Sequence, residues 1–219
     1  MTDPNYTHLA FLLDRSGSMQ AIKQDTEGGF DAFIRSQAEQ AGRCTVTLAQ
    51  FDTDYEVVYS GIDIAEVAPL DLRPRGTTAL LDSIGRLVQE TGAWLAALPE
   101  ESRPGSVLVG IMTDGLENAS REWTRPAVKA LIESQERDYA WTFSYLGANQ
   151  DAVEVGASMG VDPSRAMTYA GEHVGAAMDA YAMSTNRLRR TMAAGQDVQA
   201  ARAAAALTDE ERRRAVGRV

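Results

Sequence analysis

The residues best suited to chemistry lie in one short stretch near the start of the chain. An apolar run from Leu9 to Leu13 ends in Asp14, and two hydroxyl residues, Ser16 and Ser18, follow at alternate positions. Apolar runs of this kind are typical of strands buried on both faces of a parallel sheet. One carboxylate and two hydroxyls on the loop after such a strand offer only oxygen atoms, which suit a hard cation such as Mg²⁺. Taken alone, the same residues also fit an ordinary turn rich in Ser and Gly.

Two more oxygen-bearing residues occur further along the chain. Thr77 lies in a Gly-Thr-Thr loop directly before a predicted helix, and Asp114 follows the most apolar predicted strand, residues 107–113. Because the carboxyl ends of parallel strands meet at one edge of a sheet, we expect Asp14 and Asp114 to lie side by side. Thr77 would then lie on a loop that covers the same edge.

Predicted strands and helices alternate along the first three quarters of the chain. The predicted strands are the run before Asp14 and residues 44–51, 55–59, 107–113 and 141–146. The predicted helices are residues 20–40, 79–98 and 151–159, and one that begins after a capping Thr124. This alternation predicts an α/β fold with a mainly parallel central sheet and helices on both faces. The short turn at residues 52–54 predicts one antiparallel edge strand.

The last quarter of the chain, residues 166–219, is predicted to be a helical extension of a domain that spans residues 1–165. One helix there shows heptad spacing at Val174, Met178, Tyr181, Thr185, Leu188 and Met192. Such a helix either packs along its own domain or pairs with a second copy in a homodimer, and both alternatives stay open. Residues 208–211 form a capping box, which predicts the start of a further helix.

The composition limits the classes of function. The net charge is −10, and residues 166–219 carry six acids and eight arginines, so the preceding residues carry −12. An acidic body argues against broad nucleic-acid binding. Cys44 is the only cysteine, and His8 and His173 are far apart in sequence, so we expect neither an internal disulfide nor a structural zinc site. With no secretory leader and no apolar run near the roughly 20 residues that span a bilayer, we expect a cytoplasmic protein that binds no membrane.

The order and separation of the five oxygen-bearing residues resemble the metal-ion-dependent adhesion site of von Willebrand factor A domains. The resemblance covers roughly residues 6–160 and rests on Asp-x-Ser-x-Ser, a later threonine, and the aspartate of Met-Thr-Asp-Gly. It implies a three-layer, Rossmann-like fold and a divalent cation, usually Mg²⁺, with Mn²⁺ or Ca²⁺ as alternatives. In the family the serines ligate the metal directly, the threonine does so in the ligand-competent form, and the two acids act partly through water. The family pattern favours Thr77 over Thr78, so the implied metal ligands are Asp14, Ser16, Ser18, Thr77 and Asp114.

The resemblance also implies a non-catalytic module in which an acidic residue of a partner protein completes the coordination of the cation. The lack of a leader, the single cysteine and the excess of Arg over Lys are similar to bacterial intracellular members of the family. Many of those resemble partners of AAA+ ATPases or components of stress-resistance systems, and they act as assembly factors.

Two alternatives to a binding module stay open. One is a magnesium-dependent phosphohydrolase with Asp14 as its nucleophile. Such enzymes carry a second acid where this chain has Ser16, and neither Lys23 nor Lys129 lies in the context of their lysine. We therefore expect no enzyme activity, and the chain lacks a Gly-x-x-x-x-Gly-Lys phosphate loop and a Gly-x-Ser-x-Gly elbow. The other alternative is a scaffold that associates with itself through the heptad helix.

Overall fold

A computed structural model describes residues 2–218 of the chain. Its strands are β1 (Asp3–Asp14), β2 (Arg43–Phe51), β3 (Tyr55–Asp63), β4 (Pro104–Thr113), β5 (Thr142–Ala148) and β6 (Ala166–Tyr169). Its α-helices are α1 (Lys23–Ala38), α2 (Leu80–Ala97), α3 (Arg125–Asp138), α4 (Ala152–Ser158), α5 (Val174–Ala193), α6 (Val198–Ala204) and α7 (Asp209–Ala215). A short 3₁₀ helix, Gly17–Ile22, leads from the loop after β1 into α1.

The strands form one sheet in the order β3-β2-β1-β4-β5-β6. Neighbouring strands run parallel except for β2 and β3, which pair antiparallel at one edge. This confirms the predicted α/β fold, with a mainly parallel sheet and one antiparallel edge strand. In the centre, β1 lies beside β4 with Leu13 opposite Met112. The chain therefore leaves both strands at the same edge of the sheet, next to Asp14 and Asp114.

Helices cover both faces of the sheet, which explains the uninterrupted apolar run in β1. Leu9, Phe11 and Leu13 belong to a core shared with α1 and α5. Ala10 and Leu12 belong to a second core shared with α2 and α3. Successive side chains of a strand point to opposite faces, so a strand that is covered on both sides needs an apolar residue at every position. The apolar pattern of this one strand therefore reflects the three layers of the fold, a sheet between two layers of helices.

The heptad residues of α5 are buried within their own chain. Five of the six are buried, and Met192 packs partly buried against the same core. Tyr181 stacks on Phe33 of α1 with ring centroids 4.9 Å apart. The Tyr181 hydroxyl lies so close to Gly110 of β4 that a Cβ at that glycine would come within 2.6 Å of it. The seam residues therefore pack along their own domain, which is the first of the two alternatives for this helix, and the homodimer and scaffold stay predictions.

The chain after residue 165 contributes to the sheet as well as to the helices. β6 pairs in parallel with β5, with Ala166 opposite Tyr145. This strand was not predicted from the sequence, because four residues are too few to show an alternating pattern. Thr208 and Glu211 do form the predicted capping box, and they start α7. Across residues 2–218, no helix combines the length and the apolar character needed to cross a membrane.

Candidate metal centre

Asp14 ends β1 and anchors the candidate site. Its carboxylate is fully buried. Its Oδ1 accepts a hydrogen bond from the Ser16 backbone N–H at 2.6 Å, and its Oδ2 accepts one from the Thr113 hydroxyl at 2.5 Å. The first bond folds the chain sharply after the strand, so that the serines turn back over the sheet edge. The second bond ties the end of β1 to the end of β4.

The two serines connect Asp14 to Asp114. The Ser16 and Ser18 hydroxyl oxygens lie 3.1 Å apart, and the Ser18 hydroxyl donates to Asp114 Oδ1 at 2.6 Å. Four of the five residues implied by the family resemblance therefore form one connected cluster of oxygen atoms. Hydroxyls that lie within hydrogen-bonding distance of each other and of a carboxylate are close enough to share one small cation.

The loop before α2 presents two threonines in different ways. Thr77 is exposed, and its hydroxyl lies 2.9 Å from the Thr53 hydroxyl. Thr78 is buried beside Gly115. A Cβ at Gly115 would lie 2.7 Å from Thr78 Oγ1 and 3.5 Å from Asp14 Oδ2, so both side chains border the same glycine. Thr77 stays the predicted fifth oxygen donor, on the family pattern.

The electrostatics of the cluster favour a cation. Burial raises the pKa of Asp14 to about 6, and the negative charge of Asp114 adds to this rise, although three hydrogen bonds oppose it. Burial also raises the pKa of Asp114. Raised carboxylate pKa values mean that the negative charges lack full compensation from the protein. A bound divalent cation would supply that compensation.

The donor set determines which cations fit. Among residues 2–218, no group of three or more His, Cys, Asp or Glu side chains is placed to hold a metal ion. The cluster instead combines two carboxylates with two neutral serine hydroxyls. An all-oxygen set of this kind suits Mg²⁺, Mn²⁺ or Ca²⁺.

Asp52 joins the loops around the cluster, a role that its position in a turn does not reveal. Its carboxylate is buried and accepts hydrogen bonds from Arg15 Nε at 2.8 Å and Arg75 Nε at 2.9 Å. Burial alone would raise the pKa of Asp52, but bonds from the Asp54 backbone, Arg75 and Arg15 hold it below the ordinary value. The Asp52 carbonyl also accepts from the Ala79 N–H at 2.9 Å. One residue therefore holds the loop after β1, the β2–β3 turn and the threonine loop together.

Two further acids shape the loop after β4. Asp82 of α2 accepts hydrogen bonds from the backbone of Arg121, Glu122 and Trp123, at 2.7–3.0 Å. Glu117 accepts from the Leu81 N–H at 2.9 Å. Both carboxylates position the loop that follows Asp114. These contacts link residues about 40 positions apart, so no local sequence pattern could have identified them.

Comparisons with known proteins identify the fold. No protein-family model and no curated protein sequence matches the chain. Among solved structures, one similar protein is proximal thread matrix protein 1 from the mussel byssus, with a zinc-occupied MIDAS motif. It has 15% identity and a TM-score of 0.56 over 80% of this chain and 46% of that chain. Another is the pilus adhesin SpaC from Lactobacillus rhamnosus GG, in its open conformation, with 14% identity and a TM-score of 0.62 over 83% of this chain and 30% of that one.

A third similar structure is the ArnB paralog VWA2 from Sulfolobus acidocaldarius, with 13% identity and a TM-score of 0.53 over 80% of this chain and 44% of that one. The chain has the von Willebrand factor A fold. It spans less than half the length of each of these three proteins. At such low identity the likeness concerns the fold, and the candidate site rests on the geometry of this chain.

Proposed function

We propose that this chain is a protein-binding module that acts through a divalent cation. The residues proposed to hold the cation are Asp14, Ser16, Ser18, Thr77 and Asp114. The observation that carries the proposal is the meeting of the buried Asp14 carboxylate, the half-buried Asp114 carboxylate and two serine hydroxyls at one sheet edge. Asp14 and Asp114 receive hydrogen bonds from hydroxyl and backbone groups, so their negative charge is left for a cation.

The neutral donors explain why such a site would bind a partner. Hydroxyl oxygens from Ser16, Ser18 and Thr77 carry no formal charge, so a divalent cation held mainly by them keeps most of its positive charge. The cation would supply that charge to an acidic side chain of a partner protein. A carboxylate is the strongest oxygen ligand that a protein partner offers to Mg²⁺. Mg²⁺ is the proposed native cation, with Mn²⁺ and Ca²⁺ as alternatives.

The contacts of the two lysines favour this function over a phosphohydrolase. Lys23 forms an ion pair with Glu27 of the same helix. Lys129 lies on α3, with its Nζ 3.8 Å from Glu133 Oε1. Neither contact brings a lysine to Asp14, and the position of the second acid in such enzymes is held by Ser16. We therefore propose a non-catalytic module. From the family resemblance we also propose that it acts in the cell as an assembly factor, with an AAA+ ATPase or a stress-system component as its partner.

The first experiment tests the cation and the carboxylate together. Mg²⁺ and Mn²⁺ binding is measured by calorimetry on the full chain. A capped hexaglutamate peptide is then titrated with Mg²⁺ present and again with EDTA. We expect peptide binding only with the metal, and loss of both metal and peptide binding in Asp14→Ala and Ser16→Ala. Asp71→Ala is the matched control, since this exposed acid pairs with Arg73 outside the site.

Two results would overturn the proposal. One is peptide binding that persists in EDTA, and the other is full binding by Asp14→Ala. If both metal and peptide bind as expected, affinity capture with and without chelator can then identify the natural partner.

A further inference from the structure

Arg75 lies at the rim of the candidate metal centre. It directly precedes Gly76 in the loop that carries Thr77. Its backbone N–H donates to the carbonyl oxygen of Arg15 at 2.8 Å, and the Gly17 N–H donates to the carbonyl of Gly76 at 3.3 Å. The threonine loop is therefore bonded along its length to the Asp-x-Ser-x-Ser loop. The Cα of Arg75 is fixed beside the residues proposed to hold the cation.

The guanidinium of Arg75 is anchored at one end only. Its Nε donates to Asp52 Oδ2 at 2.9 Å, and Asp52 is 1% exposed. The side chain of Arg75 is 59% exposed. Within residues 2–218, its two terminal nitrogens, Nη1 and Nη2, make no hydrogen bond. A planar guanidinium with its inner nitrogen held by a buried carboxylate presents its remaining donors in a fixed orientation.

The neighbouring arginines are paired differently, which singles out Arg75. Arg15 is buried and uses two nitrogens, one for Asp52 and another for Glu56. Arg73 is 83% exposed and gives both Nε and Nη2 to the exposed Asp71, two residues away. Asp52 is thus shared by two guanidinium groups. Of these three arginines, Arg75 alone combines a buried anchor, an exposed side chain and a free pair of terminal donors.

We propose that Arg75 is a second recognition point beside the cation, and that the partner is an acidic segment that offers two carboxylates. This inference rests on the proposed function. One carboxylate completes the coordination of the cation, and a second accepts hydrogen bonds from the Arg75 terminal nitrogens. Paired N–H donors match the two oxygens of a carboxylate, which adds geometric specificity to the charge interaction.

The overall charge of the chain makes this local cation important. The net charge is −10, so the long-range field repels an acidic ligand. Binding then depends on short-range cationic points that lie close enough to the metal to act on the same segment. Arg75 supplies such a point, and a partner with a single carboxylate cannot use it.

The test compares two peptides on three proteins. The first peptide is capped hexaglutamate, which offers every spacing between two carboxylates. The second is a capped hexamer with one Glu among Gln residues, which offers the metal ligand alone. Both are titrated by NMR in Mg²⁺ against the unmodified chain, Arg75→Gln and Arg73→Gln. We expect Arg75→Gln to weaken hexaglutamate about three- to tenfold through the loss of one charged hydrogen-bonding pair, and to change the single-Glu peptide only slightly, as the loss of one positive charge from this loop would.

The matched variants separate the outcomes. Arg73→Gln removes the same charge from the same loop but not the anchored donors, so it should change both peptides slightly and equally. Calorimetry of Mg²⁺ should give the same affinity for all three proteins. Equal weakening of hexaglutamate by both variants would mean general charge attraction and would overturn the role of Arg75, as would no effect of Arg75→Gln. If the unmodified chain binds neither peptide in a chelator-sensitive way, the proposed function itself fails.

Discussion

Two regions of this chain bury charged side chains, and they treat those charges in opposite ways. At the metal edge, Asp14 is buried among hydroxyl and backbone donors, and burial raises its pKa to about 6. At the C-terminal end, Glu211 of α7 is buried against Arg187 of α5, with Oε1 2.7 Å from Arg187 Nη1. Burial would raise the pKa of Glu211, but bonds from Arg187 and Thr208 hold it below the ordinary value.

The other arginines of the C-terminal region satisfy backbone groups. Arg212 donates to the carbonyls of Pro163 and Ser164 at 2.8 and 3.1 Å, and Arg202 donates to the carbonyl of Glu136 at 3.0 Å. These bonds hold α6 against α3 and α7 against the segment before β6. Buried charges that are paired with an opposite charge stabilise the fold. In the part of the chain that the structure describes, the acids of the metal edge have hydrogen-bond donors but no paired cation, so they can still bind one. The sites should therefore respond differently to mutation.

The largest effect is expected from Asp14→Asn. The substitution keeps the shape of the side chain but removes the buried negative charge, so cation affinity should fall about 100-fold or more. Without cation, the variant should unfold at the same temperature as the unmodified chain or at a higher one, because an uncompensated charge has gone. Calorimetric titration and thermal unfolding in EDTA measure the two quantities. A large loss of stability in EDTA would mean that Asp14 serves the fold instead.

From Glu211→Ala we expect the opposite result to Asp14→Asn, namely a loss of stability without a loss of cation affinity. Removing one partner of a buried pair leaves Arg187 without its carboxylate, which should lower the free energy of unfolding by about 2 kcal/mol, since Arg187 is partly exposed to water. Cation affinity should not change. Glu210→Ala is the control, because Glu210 pairs with Arg214 in an exposed position and should matter much less. Denaturant unfolding of the three proteins measures their free energies of unfolding. Equal values for all three would contradict a stabilising role for the buried Glu211–Arg187 pair.

A finer test within the metal edge compares the two threonines. Thr77→Ala removes the hydroxyl proposed as a ligand and should weaken cation or peptide binding about tenfold, in the range seen for groups around a metal. Thr78→Ala removes the neighbouring hydroxyl and should change binding by less than about twofold. The same titrations measure both variants. A larger loss in Thr78→Ala would contradict the choice of Thr77.

The smallest effect concerns pH. The folded pKa of Asp14, about 6, lies above the ordinary value of 3.8, so ionising this group costs more in the folded than in the unfolded chain. Without cation, stability from this group is therefore greatest at low pH and falls as pH rises through 6. Protons also compete with the cation, so affinity should drop about fourfold from pH 7 to pH 5.5. Asp14→Asn should abolish this pH dependence, and a flat profile in the unmodified chain would contradict it.

Most of the fold could be predicted because its signals are local. The apolar run of β1 and the short turn after β2 indicate a covered parallel sheet with one antiparallel edge strand. The capping residues Thr124 and Thr208 mark helix starts through bonds to residues three positions away. β6 escaped prediction because four residues show no pattern. The heptad spacing of α5 left two alternatives open because packing within a chain and between chains uses the same apolar stripe.

Part of the candidate site could also be predicted from local spacing, and part of it could not. Asp14, Ser16 and Ser18 follow a spacing that can be read directly, and the register of β1 and β4 brings Asp114 to them. The choice between Thr77 and Thr78 rests on the family pattern, because two adjacent threonines in one loop do not differ in residue type.

By itself, the sequence determined the layers, the strand ends and the oxygen chemistry of the edge, because each depends on residue type and short-range spacing. Only the tertiary structure decided that Asp52 ties three loops together and that the α5 seam packs within its own domain. These contacts join residues far apart in the chain. Their formation depends on the packing of the whole domain, which no single stretch of sequence encodes.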